Sequence, residues 1–319
     1  MFRSISIFIA AMIAAAAACA QTWPTKSVKI VVPNAPGSIP DLVARLAADR
    51  IAKTLGTSFV VENNTAGAGL VAAQNAARAA PDGYTLFVGT ITSFAINPNL
   101  FKSLPYRPEQ DFVGAALVYD GSAQVVAVHP ELPAKSLAEL FALAKSEPGR
   151  IAYGADRGLA SILGEWMKKT AGVDITLISY KVPSQSLSDT AAGRTQMLII
   201  SIPLIDSMLK SGKLRVLAVS SQKRFPGLPD IPSIAETLPG VHASGWSALV
   251  APTGTPVEIL QRVNRATAQV VRDPEYTQRL LSFGLTADSA GTLESIAELF
   301  RSERERWGKI IREAGIAPE

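Results

Sequence analysis

Along the chain, short runs of consecutive apolar residues alternate with longer stretches in which apolar residues return every three or four positions. Residues 28–33 are apolar everywhere except Lys29 and end in Pro33-Asn34-Ala35-Pro36-Gly37. That is the pattern of a buried strand running into a loop. Beyond the loop Leu42, Leu46, Ala47, Ile51 and Leu55 recur at helical spacing, with Asp41 placed to cap the helix and Gly56 to close it. Residues 59–62 read as a strand, 71–80 as a helix stopped by Pro81-Asp82-Gly83, and 86–88 as a strand entering the polar loop Gly89-Thr90-Ile91-Thr92-Ser93. Further strands are predicted near 114–119, 125–128, 151–153, 176–179, 197–201, 214–220 and 248–250. Helices are predicted at 137–145, 161–170, 184–191, 204–210, 257–271 and 293–313. This alternation predicts an α/β protein with largely parallel sheets covered on both faces. In such sheets ligands sit on the loops that leave the carboxyl ends of the strands.

The first twenty residues break the pattern. Arg3 precedes an apolar run from 5 to 18, interrupted only by Ser6, and Ala18-Cys19-Ala20 forms an A-x-A cleavage site before Gln21. Residues 1–20 therefore read as a secretory signal peptide. The run is short for a bilayer core of roughly 30 Å, and no later segment reaches about 18 apolar residues. The alternatives are a retained anchor, or lipidation at Cys19. Ala16-Ala17-Ala18-Cys19 lacks the leucine usual three positions before a lipidated cysteine.

Cleavage after Ala20 of the 319-residue chain leaves 299 residues, long for one core and natural for two lobes. No linker separates two halves, so the chain is expected to cross between lobes more than once, at 119–124 and 241–246. The lobes would then comprise 21–122 with 246–319, and 123–245.

Composition narrows the chemistry. Hydrophobic residues make up 48% and charged residues 18%, as in a globular protein. Loss of the leader removes Cys19, the sole cysteine, and with it any disulfide, thiolate nucleophile or cysteine metal site. The two histidines, His129 and His242, have no partner at metal spacing. There is no G-x-S-x-G elbow or phosphate-binding P-loop, and Gly67-Ala68-Gly69 lacks the third glycine of a dinucleotide fingerprint. Loss of Arg3 lowers the net charge from +4 to +3, a mild excess compatible with an anionic ligand. The basic residues are scattered, which excludes a nucleic-acid surface. The 301–309 charge run, with Glu305 and Lys309 four apart, reads as the solvated face of the last helix. The profile is that of an exported binder, not an enzyme, with no cofactor and no metal.

A series of fragments, in order and at matching spacing, carries a resemblance. They are Trp23-Pro24; the strand and loop at 28–41; Val61-Glu62-Asn63 with Gly67-Ala68-Gly69; Ala-Pro-Asp-Gly-Tyr-Thr-Leu at 80–86; Gly89-Thr90; Ile96-Asn97-Pro98; Leu104-Pro105-Tyr106; Lys-Leu-Arg-Val-Leu-Ala-Val at 213–219; Leu-Pro-Asp-Ile-Pro at 228–232; and Ala-Pro-Thr-Gly-Thr-Pro at 251–256. From about residue 23 to 315 the chain resembles the periplasmic solute-binding subunits of tripartite tricarboxylate transporters, the Bug (TctC-like) family. The resemblance implies a two-lobed periplasmic binding fold of type II character, with the ligand cleft between the lobes. It implies a small organic carboxylate as ligand, a tripartite tricarboxylate-type membrane permease as partner, and a periplasmic monomer.

The resemblance also locates a site. It places one ligand carboxylate at Ser38 and Ile39, with Asp41 on the family aspartate, beside a helix start that favours anions. Gly37 would let the backbone come close. Thr90, Thr92 and Ser93 supply neutral donors from the loop after the third strand. From the second lobe come Arg157, Gly158 and Ser161, then Tyr180, Val182, Ser184 and Gln185. The sequence departs from the family at Asp156-Arg157-Gly158, which replaces a small polar run. Val182-Pro183 stands where a glycine is usual, and Ser38-Ile39-Pro40 replaces a Gly-Ser/Thr type run. Arg157 could offer a planar fork to a second carboxylate, or simply pair with Asp156. Trp246, beyond the second crossing, is expected as a buried structural residue near the hinge. A ligand-binding partner of a membrane sensor kinase remains the alternative function.

Overall fold

The computed structural model describes residues 23–156 and 158–318; the leader with Cys19, and Arg157, lie outside them. Among the described residues, twelve strands are β1 (Val28–Val32), β2 (Phe59–Asn63), β3 (Thr85–Thr90), β4 (Phe112–Tyr119), β5 (Gly121–Ser122), β6 (Gln124–Val128), β7 (Ala152–Asp156), β8 (Thr176–Tyr180), β9 (Met197–Ser201), β10 (Arg215–Val219), β11 (Ser247–Pro252) and β12 (Leu285–Thr286). The helices of eight or more residues are α1 (Ile39–Leu55), α2 (Leu70–Ala77), α3 (Leu137–Ser146), α4 (Leu159–Ala171), α5 (Pro183–Ala191), α6 (Ile202–Lys210), α7 (Val257–Val270), α8 (Pro274–Ser282) and α9 (Leu293–Glu313).

Two five-stranded sheets organise these elements, in the orders β2-β1-β3-β11-β4 and β10-β6-β9-β7-β8. β1, β2 and β3 pair in parallel, as do β7, β8 and β9. β11 runs antiparallel to β3 and β4, and β6 runs antiparallel to β9 and β10. The expected largely parallel character therefore holds only within each βαβ half. β6 and β11 each follow a crossing from the other sheet, so they enter from the cleft end and run against their neighbours. Core positions of β1 and β3 (Ile30, Val32, Leu86, Phe87) are fully buried, each contributing about 1.5–3 kcal/mol relative to exposure.

The crossings are stitched to each other. The Ser122 N–H donates to Ser244 Oγ at 3.0 Å, and the Gly245 N–H donates to Ser122 Oγ at 2.7 Å. Ser220 Oγ donates to the Ala243 carbonyl at 2.7 Å and accepts from the Gln124 N–H at 2.9 Å. β5 pairs with β12, and the Ala123 N–H donates to the Gly284 carbonyl, adding a third strand of contact. Beyond the crossings, α9 packs on α4 across the cleft. One buried cluster extends from Phe87 and Phe94 through Trp246, Trp307 and Ile310 to Ile162 and Tyr153. Trp246 is buried as expected, stacked on Phe300 at 5.0 Å. On α9, Lys309 turns to Glu313 at 3.8 Å instead of Glu305.

Candidate functional site

The loop after β1 is organised by one carboxylate. Ser38, not Asp41, is the N-cap of α1, and the helix begins at Ile39. Asp41 lies in its first turn, 2% exposed, and accepts from the Gly37 N–H and from Asn63 Nδ2, both at 2.8 Å, while Arg45 pairs with it at 3.0 Å. Burial pushes the Asp41 carboxyl up, but Arg45, the Gly37 N–H and Asn63 outweigh it and hold it below its ordinary value. Gly37 is required for its left-handed φ of 80°, and open space surrounds it. The close approach is made instead by Gly69, where a Cβ would stand 2.7 Å from the Pro33 carbonyl oxygen. That contact sets the N-terminus of α2 against the loop.

The loop after β3 is also locked locally. Ser93 Oγ accepts from the Thr90 N–H at 2.9 Å and donates to the Thr90 carbonyl at 3.1 Å, while the two hydroxyls lie 3.2 Å apart. Tyr106 donates to the Ser93 carbonyl at 2.7 Å. Burial, partly offset by Asn97, pushes the Tyr106 phenol up to about 12, so it stays neutral and a donor.

These loops enclose a cavity of about 320 Å³ at the cleft ends of both sheets, beside the crossings. Its size falls at the lower end of small-ligand pockets. The first-lobe wall carries Asn34, Pro40, Gly69, Leu70, Thr90, Ile91, Thr92, Ser93, Asn97, Tyr106 and Tyr119. The crossings add Ser122, Gln124 and Gly245, and the second sheet adds Asp156 and Leu159. Among the described residues, no lysine, arginine or histidine lines it. Hydroxyls and amides are what an anion would meet there, together with Gly69 at the N-cap of α2, whereas α1 reaches the cavity only through Pro40, which has no N–H to give. A second, more apolar chamber of about 490 Å³ shares Ala68, Leu70, Thr92 and Asn97 with the first. Phe101, Ile162, Leu177 and the C-terminal Ile316 also line it.

The residues singled out from sequence divide between these places. Thr90, Thr92 and Ser93 line the inner cavity, while Gly158 and Ser161 line the outer chamber. The Ser161 hydroxyl is engaged with Gly158, accepting its N–H and donating to its carbonyl, each at 3.1 Å. Ser38, Ile39 and Asp41 line neither chamber and frame the loop around Pro40. Ser38 Oγ donates to the Ala35 carbonyl at 2.6 Å. Tyr180, Val182, Ser184 and Gln185 line neither chamber. The Tyr180 hydroxyl donates to Asp189 at 2.7 Å, and Asp189 is held in turn by Arg194. Tyr180 pairs in register with Asp156, so the 180–185 segment follows the cleft end of the second sheet.

Sequence reasoning passed over Asn34, Tyr106, Tyr119, Ser122, Gln124 and Asp156 as site residues. Asp156 had a local signal, the replacement of a small polar run by an acid. Tyr119, Ser122 and Gln124 lay inside a segment already marked as a crossing. Asn34 lay in the loop after the first strand, where ligands are expected, and Tyr106 had no signal beyond membership of a matching fragment.

Two α/β lobes joined by paired crossings, with a polar cavity at the cleft ends of both sheets, define a bilobal solute-binding protein. The model of the tripartite tricarboxylate transporter family receptor (TctC) matches residues 43–316, and the chain belongs to that family. The family is one of receptors, not enzymes. A UPF0065 protein of Bordetella bronchiseptica is 34% identical over 304 residues, covering 95% of this chain and 90% of that protein. The structure of R. palustris Rpa4515 with adipate is similar with a TM-score of 0.83 at 33% identity, covering 93% of this chain and 100% of that one. MatC (Rpa3494) from Rhodopseudomonas palustris with bound malate is similar at a TM-score of 0.77 and 28% identity, covering 91% and 100%.

Proposed function

We propose that this chain is an exported receptor that captures a small organic carboxylate between its lobes and delivers it to a membrane permease of the tripartite tricarboxylate type. The observation that carries this reading is the cavity itself, polar, beside the crossings, and walled by both lobes. The carboxylate would rest on the first-lobe side, at Thr90, Thr92 and Ser93 and beside Gly69 at the start of α2. Ser38, Ile39 and Asp41 would hold the loop in shape, Gly158 and Ser161 would bound the outer chamber, and Arg157, Tyr180, Val182, Ser184 and Gln185 would form the second-lobe rim. The lobes would divide as 21–122 with 246–319, and 123–245, in keeping with sheet membership. The adipate and malate of the two Rhodopseudomonas structures support a carboxylate, and the family supports the permease. The signal-like start supports a periplasmic location, and a monomeric form is part of the proposal. Ligand binding favours the closed arrangement because the second lobe contributes contacts only when closed.

The test is a thermal-shift panel on residues 21–319, freed of ligand by unfolding and refolding, with dicarboxylates, tricarboxylates, acidic amino acids and aromatic acids. A ligand at about 100 times its Kd adds roughly 2.7 kcal/mol, a readable rise in midpoint. Folded protein that is silent to every carboxylate defeats the reading. Mass spectrometry of the secreted protein would show cleavage after Ala20, and size-exclusion with light scattering would show one chain.

A further inference from the structure

The second-sheet side of the cavity is unlike the first. Asp156 ends β7 and lines the cavity wall, where burial pushes its carboxyl up. Gln124 begins β6 and lines the same cavity, and its side-chain oxygen Oε1 is buried without a hydrogen-bond partner. Register places them at one edge. Gln124 pairs with Ser201 at the end of β9, and β7 runs parallel on the other side of β9, with Gly154 opposite Leu198. Two strand spacings separate the positions, about 10 Å.

Resting on the carboxylate-receptor reading above, we infer that the ligand presents a hydrogen-bond donor, an ammonium or hydroxyl group, to Asp156 and Gln124 at the end opposite its carboxylate. A second carboxylate at that end would lie against Asp156 in a partly desolvated wall, where like charges repel most strongly. An ammonium there has hydrogens for both acceptors and a hydroxyl for one of them, and an orphaned buried acceptor is costly to leave unmet. Asp156 therefore selects ω-amino or hydroxy acids over dicarboxylates of equal length.

The test is titration calorimetry of the ligand-free protein with two matched series: succinate, 4-hydroxybutyrate and 4-aminobutyrate, then adipate, 6-hydroxyhexanoate and 6-aminohexanoate. In at least one series a donor-ended member is expected to bind tenfold or more tightly than its dicarboxylate. Asp156→Asn should weaken the amino acid about tenfold, weaken the hydroxy acid less, and strengthen the dicarboxylate. The ratio of amino to hydroxy binding, and its change in the variant, identifies which donor the site takes. Dicarboxylates binding as tightly as both donor-ended partners would overturn the inference and leave the receptor reading intact. An unchanged ratio in folded Asp156→Asn would also overturn it. Failure of all six, with the wider carboxylate panel also silent, would instead defeat the receptor reading beneath it. The comparison among wild-type ligands does not depend on the variant folding.

Discussion

Replacing Asp41 with alanine removes the carboxylate around which the loop after β1 is built. Three groups lose their acceptor: the Gly37 N–H and Asn63 Nδ2, each at 2.8 Å, and Arg45 at 3.0 Å. Hydrogen bonds to a charged acceptor contribute about 1.5–3 kcal/mol each. The losses do not simply add. Gly37 is exposed and regains water, Asn63 Nδ2 keeps the Asn34 carbonyl at 3.0 Å, and Arg45 keeps Asn63 Oδ1 at 2.9 Å. The Arg45 pair, with Arg45 half-exposed, adds only about 0.5 kcal/mol. The net cost is therefore about 2–3 kcal/mol, or a fall in Tm of roughly 4–10 °C. Asp41→Asn is no rescue, because its amide nitrogen must face one of three donors. The assay is thermal and urea unfolding of ligand-free protein at pH 7, with ligand affinity measured in parallel, since Asn34 and Pro40 of this loop line the cavity. Because the folded Asp41 pKa lies below 3.8, its stabilisation is full above the unfolded value and is lost as pH falls through the folded one. The gap in urea midpoint between wild type and Asp41→Asn should therefore persist from pH 7 to about 3.8 and close below it. A midpoint within about 1 °C of wild type for Asp41→Ala would refute the idea that this carboxylate holds the loop.

Other changes probe other parts of the fold. Gly154→Ala puts a Cβ 2.5 Å from Ser186 Oγ and 3.1 Å from the Tyr180 ring, so it should cost about 1–3 kcal/mol, partly recovered by Ser186→Gly; a neutral urea midpoint would contradict this packing. Ser122→Ala and Ser244→Ala should each cost about 1 kcal/mol and couple by at least about 0.5 kcal/mol in a double-mutant cycle, and strict additivity would mean the crossings are not stitched together. Burial and Arg306 hold the His242 pKa below 6.5, so stability should be full above 6.5 and fall as pH drops through the folded value. His242→Gln should flatten that slope, and an unchanged slope would assign it to another group.

The alternation of apolar runs and helical spacings was enough to predict most elements to within a few residues, because buried strands and amphipathic helices carry their periods in the chain itself. α9 is predicted at its observed bounds, whereas α8, whose charged first turn follows Asp273, and β12, only two residues long, are passed over. The absence of a linker pointed to two crossings, and the ordered fragments to the family. Asp41 shows where local reasoning stops. An acid before an apolar helix reads as a cap, yet one turn of register made Ser38 the cap and left Asp41 to bind Gly37 and Asn63, a residue 22 positions away. Strand direction was likewise undecided by composition, since β6 and β11 take theirs from the end at which a crossing delivers them.

The sequence by itself determined the element order, the α/β class, the receptor family and the polar loops Thr90-Ile91-Thr92-Ser93 and 34–41. Only the tertiary structure decided which side chains share a cavity. Asn34, Tyr106, Gln124, Asp156 and Gly245 meet there because two sheets present their cleft ends to each other across paired crossings. Proximity of that kind comes from three-dimensional packing between distant segments, and no period or spacing along the chain encodes it.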